Sequence, residues 1–171
     1  MITSNQIQII RQIFLRNKLN ADLIANVFFN YLFSLRPILW LLLYEKMGTY
    51  KNRFVMIVQE TVQGSSHLDF GNPVLATIGC EHALDGIQRE DYELAKTAFL
   101  FTLEQFLDNE FTPEVKKASA AVFEAITYEM ICAANKLGEV LSLDDSGPFN
   151  QERKFLTGKT KRKPKYKRAI H

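Results

Sequence analysis

The sequence has few of the residues that build disulfide scaffolds. Only two cysteines, Cys80 and Cys132, occur among 171 residues, and the framework of a small secreted domain needs more. The first ten residues also lack the basic start and the small-residue cleavage site of a secretory signal peptide. We therefore expect a cytoplasmic protein with reduced thiols.

Common catalytic motifs are missing as well. There is no G-x-S-x-G, no H-E-x-x-H, no glycine-rich phosphate loop and no paired C-x-x-C, the patterns that serve hydrolases, zinc proteases, nucleotide-binding proteins and zinc sites. Histidine is scarce: His67 lies in a polar stretch, His171 is the last residue, and His82 is the one histidine on an apolar stripe. Taken alone, His82 is more simply interpreted as a core histidine hydrogen-bonded to a carbonyl than as a ligand.

The longest hydrophobic run is interrupted. Leu23 to Leu43 has about the length that crosses a bilayer, but Arg36 and Pro37 lie well inside it. Proline ends a helix because it lacks the N–H donor and clashes with the preceding turn. The run therefore predicts an amphipathic helix followed by a short apolar one, rather than a transmembrane span.

What is abundant is helical periodicity. Apolar residues recur every three to four positions along the chain, and sustained alternation of apolar and polar residues does not occur. We predict an all-α fold of about seven helices around one buried space. The predicted helices start at Thr3 or Ser4, Asn20, Pro37, Thr49, Pro73, Glu90 and Thr112. The last is expected to end near Lys136, before Gly138.

Charge is distributed unevenly. Residues 151–171 contain nine Lys and Arg against the single acid Glu152, a net charge of +8, which leaves −6 on residues 1–150. We predict a folded domain at 1–140, a linker at 141–150 and a basic, disordered tail at 151–171. Such a tail could bind nucleic acid or an anionic membrane, although basic tails are more often simply solvated.

Four motifs, in order, resemble the globin family, in particular bacterial single-domain haemoglobins of the three-over-three type and neuroglobin-like chains. The first is Val27 to Pro37, and the second is Tyr50 to Phe54. The third runs from His82 through Gly86-Ile87 to Tyr92, and the fourth is Phe111 to Val115. Tyr50 and His82 are separated by 32 residues, the interval those globins use. The resemblance extends over residues 5–137.

The resemblance implies a haem b group, and each role is carried over by position. His82 would be the proximal ligand of the haem iron, with its second ring nitrogen donating to a nearby carbonyl. Tyr50 would lie on the opposite face, and Arg53 would reach a haem propionate or the bound gas. The further pocket residues are Phe29, Leu43, Phe54, Ile78, Ile87 and Tyr92. The implied function is reversible binding of O₂ or another diatomic gas, for storage, transport or sensing.

Several alternatives remain at this stage. Leu43 stands where globins place a phenylalanine that stacks on haem, which favours a haem-free, globin-like interaction domain. Tyr50 could instead be a half-buried tyrosine with its hydroxyl in water, and Arg53 a solvated surface residue. A third alternative is a gas sensor that acts through the basic tail. An NO dioxygenase activity would need a separate reductase, because no flavin or NAD domain follows.

Overall fold

The computed structural model describes residues 2–63 and 73–144. These residues form seven α-helices and two short 3-10 turns, Tyr44–Lys46 and Asp108–Glu110, without any strand. The prediction of an all-α fold of about seven helices is confirmed. The helices are α1 (Ser4–Arg16), α2 (Ala21–Leu35), α3 (Ile38–Leu43), α4 (Met47–Gln63), α5 (Pro73–Leu84), α6 (Arg89–Leu107) and α7 (Pro113–Asp144).

Three of the predicted helix starts carry the expected caps. The Thr3 hydroxyl accepts a hydrogen bond from the Gln6 amide at 3.2 Å, and the Asn20 side chain accepts from two amides at the start of α2. The Thr112 hydroxyl accepts from the Val115 amide at 3.3 Å, directly before Pro113. Each cap satisfies amides that a helix start leaves without partners.

The hydrophobic run from Leu23 to Leu43 is divided as predicted. Helix α2 ends at Leu35 and α3 begins at Ile38, on either side of Arg36 and Pro37. Within the described ranges, none of the helices is long and apolar enough to cross a membrane.

The predicted end of the last helix is wrong. Helix α7 continues past Lys136 and Gly138 and ends at Asp144. A single glycine inside a helix costs only about 1 kcal/mol, and it ends a helix only where the backbone turns left-handed, which Gly138 does not do. From residue 145 onward, the predicted linker and basic tail lie outside the described residues, as does His67.

Helix α2 occupies the centre of the fold. It packs against α4 and α6, while α1 covers the outer side of α4. The Phe28 ring of α2 stacks on Phe54 of α4 with centroids 4.4 Å apart, and Ile24 and Leu103 are fully buried beside them. This packing orients the inner face of α4 toward α5.

Helix α5 approaches α7 at one very close point. A β-carbon added at Gly79 would lie 2.1 Å from the carbonyl oxygen of Met130. Only glycine therefore permits this approach, and Leu75, Ile78 and Met130 pack around it as a small apolar cluster.

The contacts described so far belong to one compact unit, Met1–Asn135. A second unit begins at Lys136, and its described part is the continuation of α7 to Asp144.

Candidate ligand site between α4 and α5

All nine residues predicted for the site line a single cavity of about 140 Å³. The walls of this cavity are mainly apolar, and they include residues of α1, α2 and α7 as well as those of α4 and α5. The nine residues are Phe29, Leu43, Tyr50, Arg53, Phe54, Ile78, His82, Ile87 and Tyr92.

A helix-ending turn fixes the backbone of His82. Helix α5 ends at Leu84, and Gly86 takes a positive φ of 85°, which glycine adopts without strain. The Ile87 amide then donates to the His82 carbonyl at 2.9 Å, the bond that characterises the Schellman motif. The spacing His-x3-Gly-Ile is thus the sequence form of this turn.

The His82 side chain is held by Tyr92 rather than by the expected carbonyl. Its Nδ1 lies 2.9 Å from the Tyr92 hydroxyl on α6, and within the described residues its Nε2 makes no hydrogen bond. Burial, helped by the nearby Arg53 cation, lowers the pKa of His82 to about 4. The ring is therefore neutral at pH 7, the form that ligates metals.

Tyr50 is buried, with 5% of its surface exposed, and its hydroxyl does not point to water. It donates a hydrogen bond to Asp85, the residue that follows α5. Burial and the Asp85 carboxylate raise the pKa of Tyr50, so the phenol keeps its proton. Its ring lies close to His82, with centroids 5.2 Å apart.

Arg53 is not simply solvated. Its guanidinium forms an ion pair with Glu81 of α5, in which one nitrogen lies 2.9 Å from a carboxylate oxygen. Lys46, just before α4, forms an ion pair with Asp85. Burial opposes ionisation of Asp85, but the bonds from Lys46 and Tyr50 outweigh it and lower its pKa.

Lys46, Glu81 and Asp85 were not predicted as site residues. A signal for them exists in the sequence: basic residues stand four before and three after Tyr50, and acids stand one before and three after His82. If the two segments face each other, these opposite charges can form ion pairs. The sequence does not indicate that these two segments face each other, because that is a tertiary feature.

The start of α6 positions Tyr92. The neighbouring Asp91 is buried, at 3% exposure, and accepts from the Gln88 amide at 2.7 Å. Its other oxygen forms an ion pair with Arg36 at 2.7 Å. Because Arg36 follows α2, this pair ties the end of α2 to the start of α6 beside the residue that holds His82.

Aromatic rings close the inner end of the cavity. Phe29 and Phe54 meet edge to face with centroids 5.8 Å apart, and Leu43 is buried at 3% exposure. No group of three or more His, Cys, Asp or Glu that could hold a metal ion occurs in the described part of the chain.

Comparison with known families gives a match over the centre of the chain. The family model described as Globin matches residues 44–130, just over half of the sequence. The matched range contains Tyr50, Arg53, His82 and Tyr92. A search of curated proteins finds no match.

Proposed function

The chain belongs to the globin family, and from this premise we propose that it binds haem b between α4 and α5 and, at the haem iron, O₂ or another diatomic gas. The observation that carries the proposal is the state of His82. It is a neutral imidazole at the wall of an apolar cavity, with one nitrogen anchored by Tyr92 at 2.9 Å and the other without a partner among the described residues.

The chemistry of the residues fits haem. Iron in globins is held by one histidine nitrogen, and the pocket around it is apolar. His82 supplies that nitrogen, and Phe29, Phe54, Ile78 and Ile87 supply apolar walls. The cavity volume of about 140 Å³ holds only a few atoms, so uptake of haem requires α4 and α5 to move apart.

Each polar residue has a role in this proposal. For Nε2 to be the ligand, the proton of His82 must reside on Nδ1 and donate to Tyr92, and this bond would also fix the ring orientation. Tyr50 faces His82 across the cavity, and its protonated phenol can donate a hydrogen bond to a partly negative bound gas. Arg53, on the same face of α4, can pair with a carboxylate of the cofactor. When bound, the haem iron supplies the reversible attachment of the gas.

Absorption spectroscopy tests the proposal. The purified chain, mixed with haemin, separated from unbound haemin by gel filtration and then reduced, should show a Soret band that shifts when CO is added. His82→Ala should change the ferrous–CO spectrum, whereas the control His171→Ala, which also removes one histidine, should not. The absence of a Soret band in the wild type would refute haem binding, and an unchanged spectrum of His82→Ala would refute the ligand assignment.

A second candidate function has one observation in its favour. The cavity is narrow, and Leu43, where globins place a ring that stacks on haem, is buried within its wall. A haem-free, globin-like interaction domain would keep such a cavity closed. In that case, wild-type chain mixed with haemin would be colourless after gel filtration removes the unbound haemin.

A further inference from the structure

Two polar bridges join the α4 side of the cavity to α5. In the first, named the Asp85 bridge, the carboxylate of Asp85 accepts from the Tyr50 hydroxyl and pairs with Lys46. In the second, named the Arg53 bridge, Arg53 pairs with Glu81 through both of its terminal nitrogens. Together they hold the two helices at positions on both sides of His82.

The bridges hold the helices too close for a planar ligand. The rings of Tyr50 and His82 have centroids only 5.2 Å apart. A flat macrocycle needs about 3.5 Å between its plane and the Tyr50 ring, which leaves less than about 2 Å of the 5.2 Å for the macrocycle to meet the His82 ring on its other face. While both bridges are formed, the space between the two rings cannot admit it.

The bridges lie where they can break. The side chains of Lys46 and Glu81 are 57% and 36% exposed, so water can replace their partners. Their partners Asp85 and Arg53 are less exposed, at 13% and 26%, so each ion pair is stronger than one between two surface groups but is open to water at one end. The two bridges can therefore hold the pocket closed and still break when a ligand binds there more strongly.

We infer that the Asp85 bridge and the Arg53 bridge form a polar latch that closes the pocket of the haem-free protein and opens for haem uptake. The inference rests on the proposed haem-binding function. It assigns to Glu81, Asp85 and Lys46 a role that the cavity walls alone do not reveal. It also gives Tyr50 and Arg53 different partners before and after uptake.

The latch makes a kinetic prediction. The apparent rate of haemin association scales with the fraction of molecules whose pocket is open. Loss of the bridges raises that fraction and hence the association rate. The dissociation rate should remain nearly constant, because the bridges are already broken in the haem-bound protein. A permanent structural clamp would instead give faster dissociation when removed.

The variant Glu81→Ala/Asp85→Ala of the full chain removes both bridges. Asp85 stands at the C-terminal end of α5, where a carboxylate is unfavourable to the helix dipole, so its loss should not unfold the helix. The control is Glu124→Ala, which removes an ion pair of 3.0 Å with Lys96 between α6 and α7. Helical circular dichroism verifies that both variants fold. If the double variant does not fold, the single variant Glu81→Ala replaces it.

Stopped-flow mixing with haemin, followed by quenching of the single tryptophan, Trp40, measures association. The double variant should associate about tenfold faster, with a dissociation rate within about twofold of wild type and Glu124→Ala unchanged. Uptake of the neutral dye Nile red by the haem-free protein should rise in the double variant alone. Unchanged association, or faster dissociation, would overturn the latch while leaving haem binding intact. If the wild type takes up no haemin, the proposed function fails, and Nile red uptake alone then decides whether the bridges close the pocket.

Discussion

Gly79→Ala should destabilise the fold far more than an ordinary substitution of glycine by alanine in a helix. The added β-carbon would lie 2.1 Å from the carbonyl oxygen of Met130 and 2.6 Å from its carbonyl carbon and α-carbon. These are backbone atoms of α7, so a change of side-chain rotamer cannot make room. Helices α5 and α7 would have to separate by more than about 1 Å to restore ordinary contact.

The magnitude follows from two opposing effects. Alanine favours a helix over glycine by about 0.5–1 kcal/mol, whereas overpacking of a tight contact costs about 1–3 kcal/mol and sometimes more. Since the clash is with backbone, we expect the upper end, a net loss of about 2–3 kcal/mol in the free energy of unfolding. For a chain of this size that corresponds to a melting temperature lower by about 5–10 °C.

Urea denaturation of the haem-free protein, followed by circular dichroism, measures the change. The matched control is Gly48→Ala in α4, where a β-carbon meets nothing within 4 Å, and this variant should be as stable as wild type or slightly more. If Gly79→Ala is as stable as Gly48→Ala, the close approach of α5 to α7 does not exist. A different contact would then have to fix the position of His82, which lies one helical turn beyond Gly79.

Further predictions concern the site and the tail. The pKa of His82 is lowered from 6.5 to about 4 in the folded protein, so the unfolded chain takes up this proton at a higher pH. The free energy of unfolding of the haem-free protein should therefore fall by about 2–3 kcal/mol between about pH 6.5 and pH 4. In urea denaturation, His82→Gln should lack this fall. Tyr92→Phe removes the bond to His82 Nδ1 and should weaken haemin binding about tenfold in a spectrophotometric titration; equal affinity would show that Tyr92 does not orient the ring. Tyr50→Phe should speed O₂ release about 10- to 100-fold in stopped-flow measurements, with a far smaller effect on CO, because bound O₂ carries more negative charge; identical O₂ rates would remove Tyr50 from the distal role. Truncation after Ser146 should abolish any salt-sensitive binding to DNA or anionic vesicles; equal binding by the shortened chain would reject the tail as the contact.

Features fixed by neighbouring residues could be predicted from the sequence. The caps at Thr3 and Asn20 and the break at Pro37 each depend on a few adjacent positions, and each occurs as expected. The end of α7 could not be predicted in this way. A glycine in a long helical pattern can either end the helix or lie inside it, and the neighbouring residues do not decide between the two. Gly138 lies in open space, where it destabilises the helix only slightly.

The partners of the site residues depend on which helices face each other. The resemblance to globins indicated Tyr50, Arg53 and His82, which line one cavity, but it did not indicate the protein side chains that they bond to. The bonds to Glu81 and Asp85 span 28 and 35 positions along the chain, and sequence periodicity carries no information on such pairings. The same holds for the expected carbonyl partner of His82, which the structure replaces by Tyr92.

The His82 side of the cavity and its junction with the opposite side are held by contacts of different kinds, and this difference bears on how a haem-binding pocket would open. His82 is fixed on three sides: by the turn at Gly86, by the close approach of Gly79 to α7, and by Tyr92 on α6. The opposite side, by contrast, meets α5 through the side chains of the two bridges, which reach partly into solvent. Separation of side-chain pairs at a rim costs less than displacement of packed backbone. Opening should therefore begin at the bridges and leave His82 in place, so that the nitrogen offered to haem keeps its orientation while Tyr50 and Arg53 exchange their polar partners.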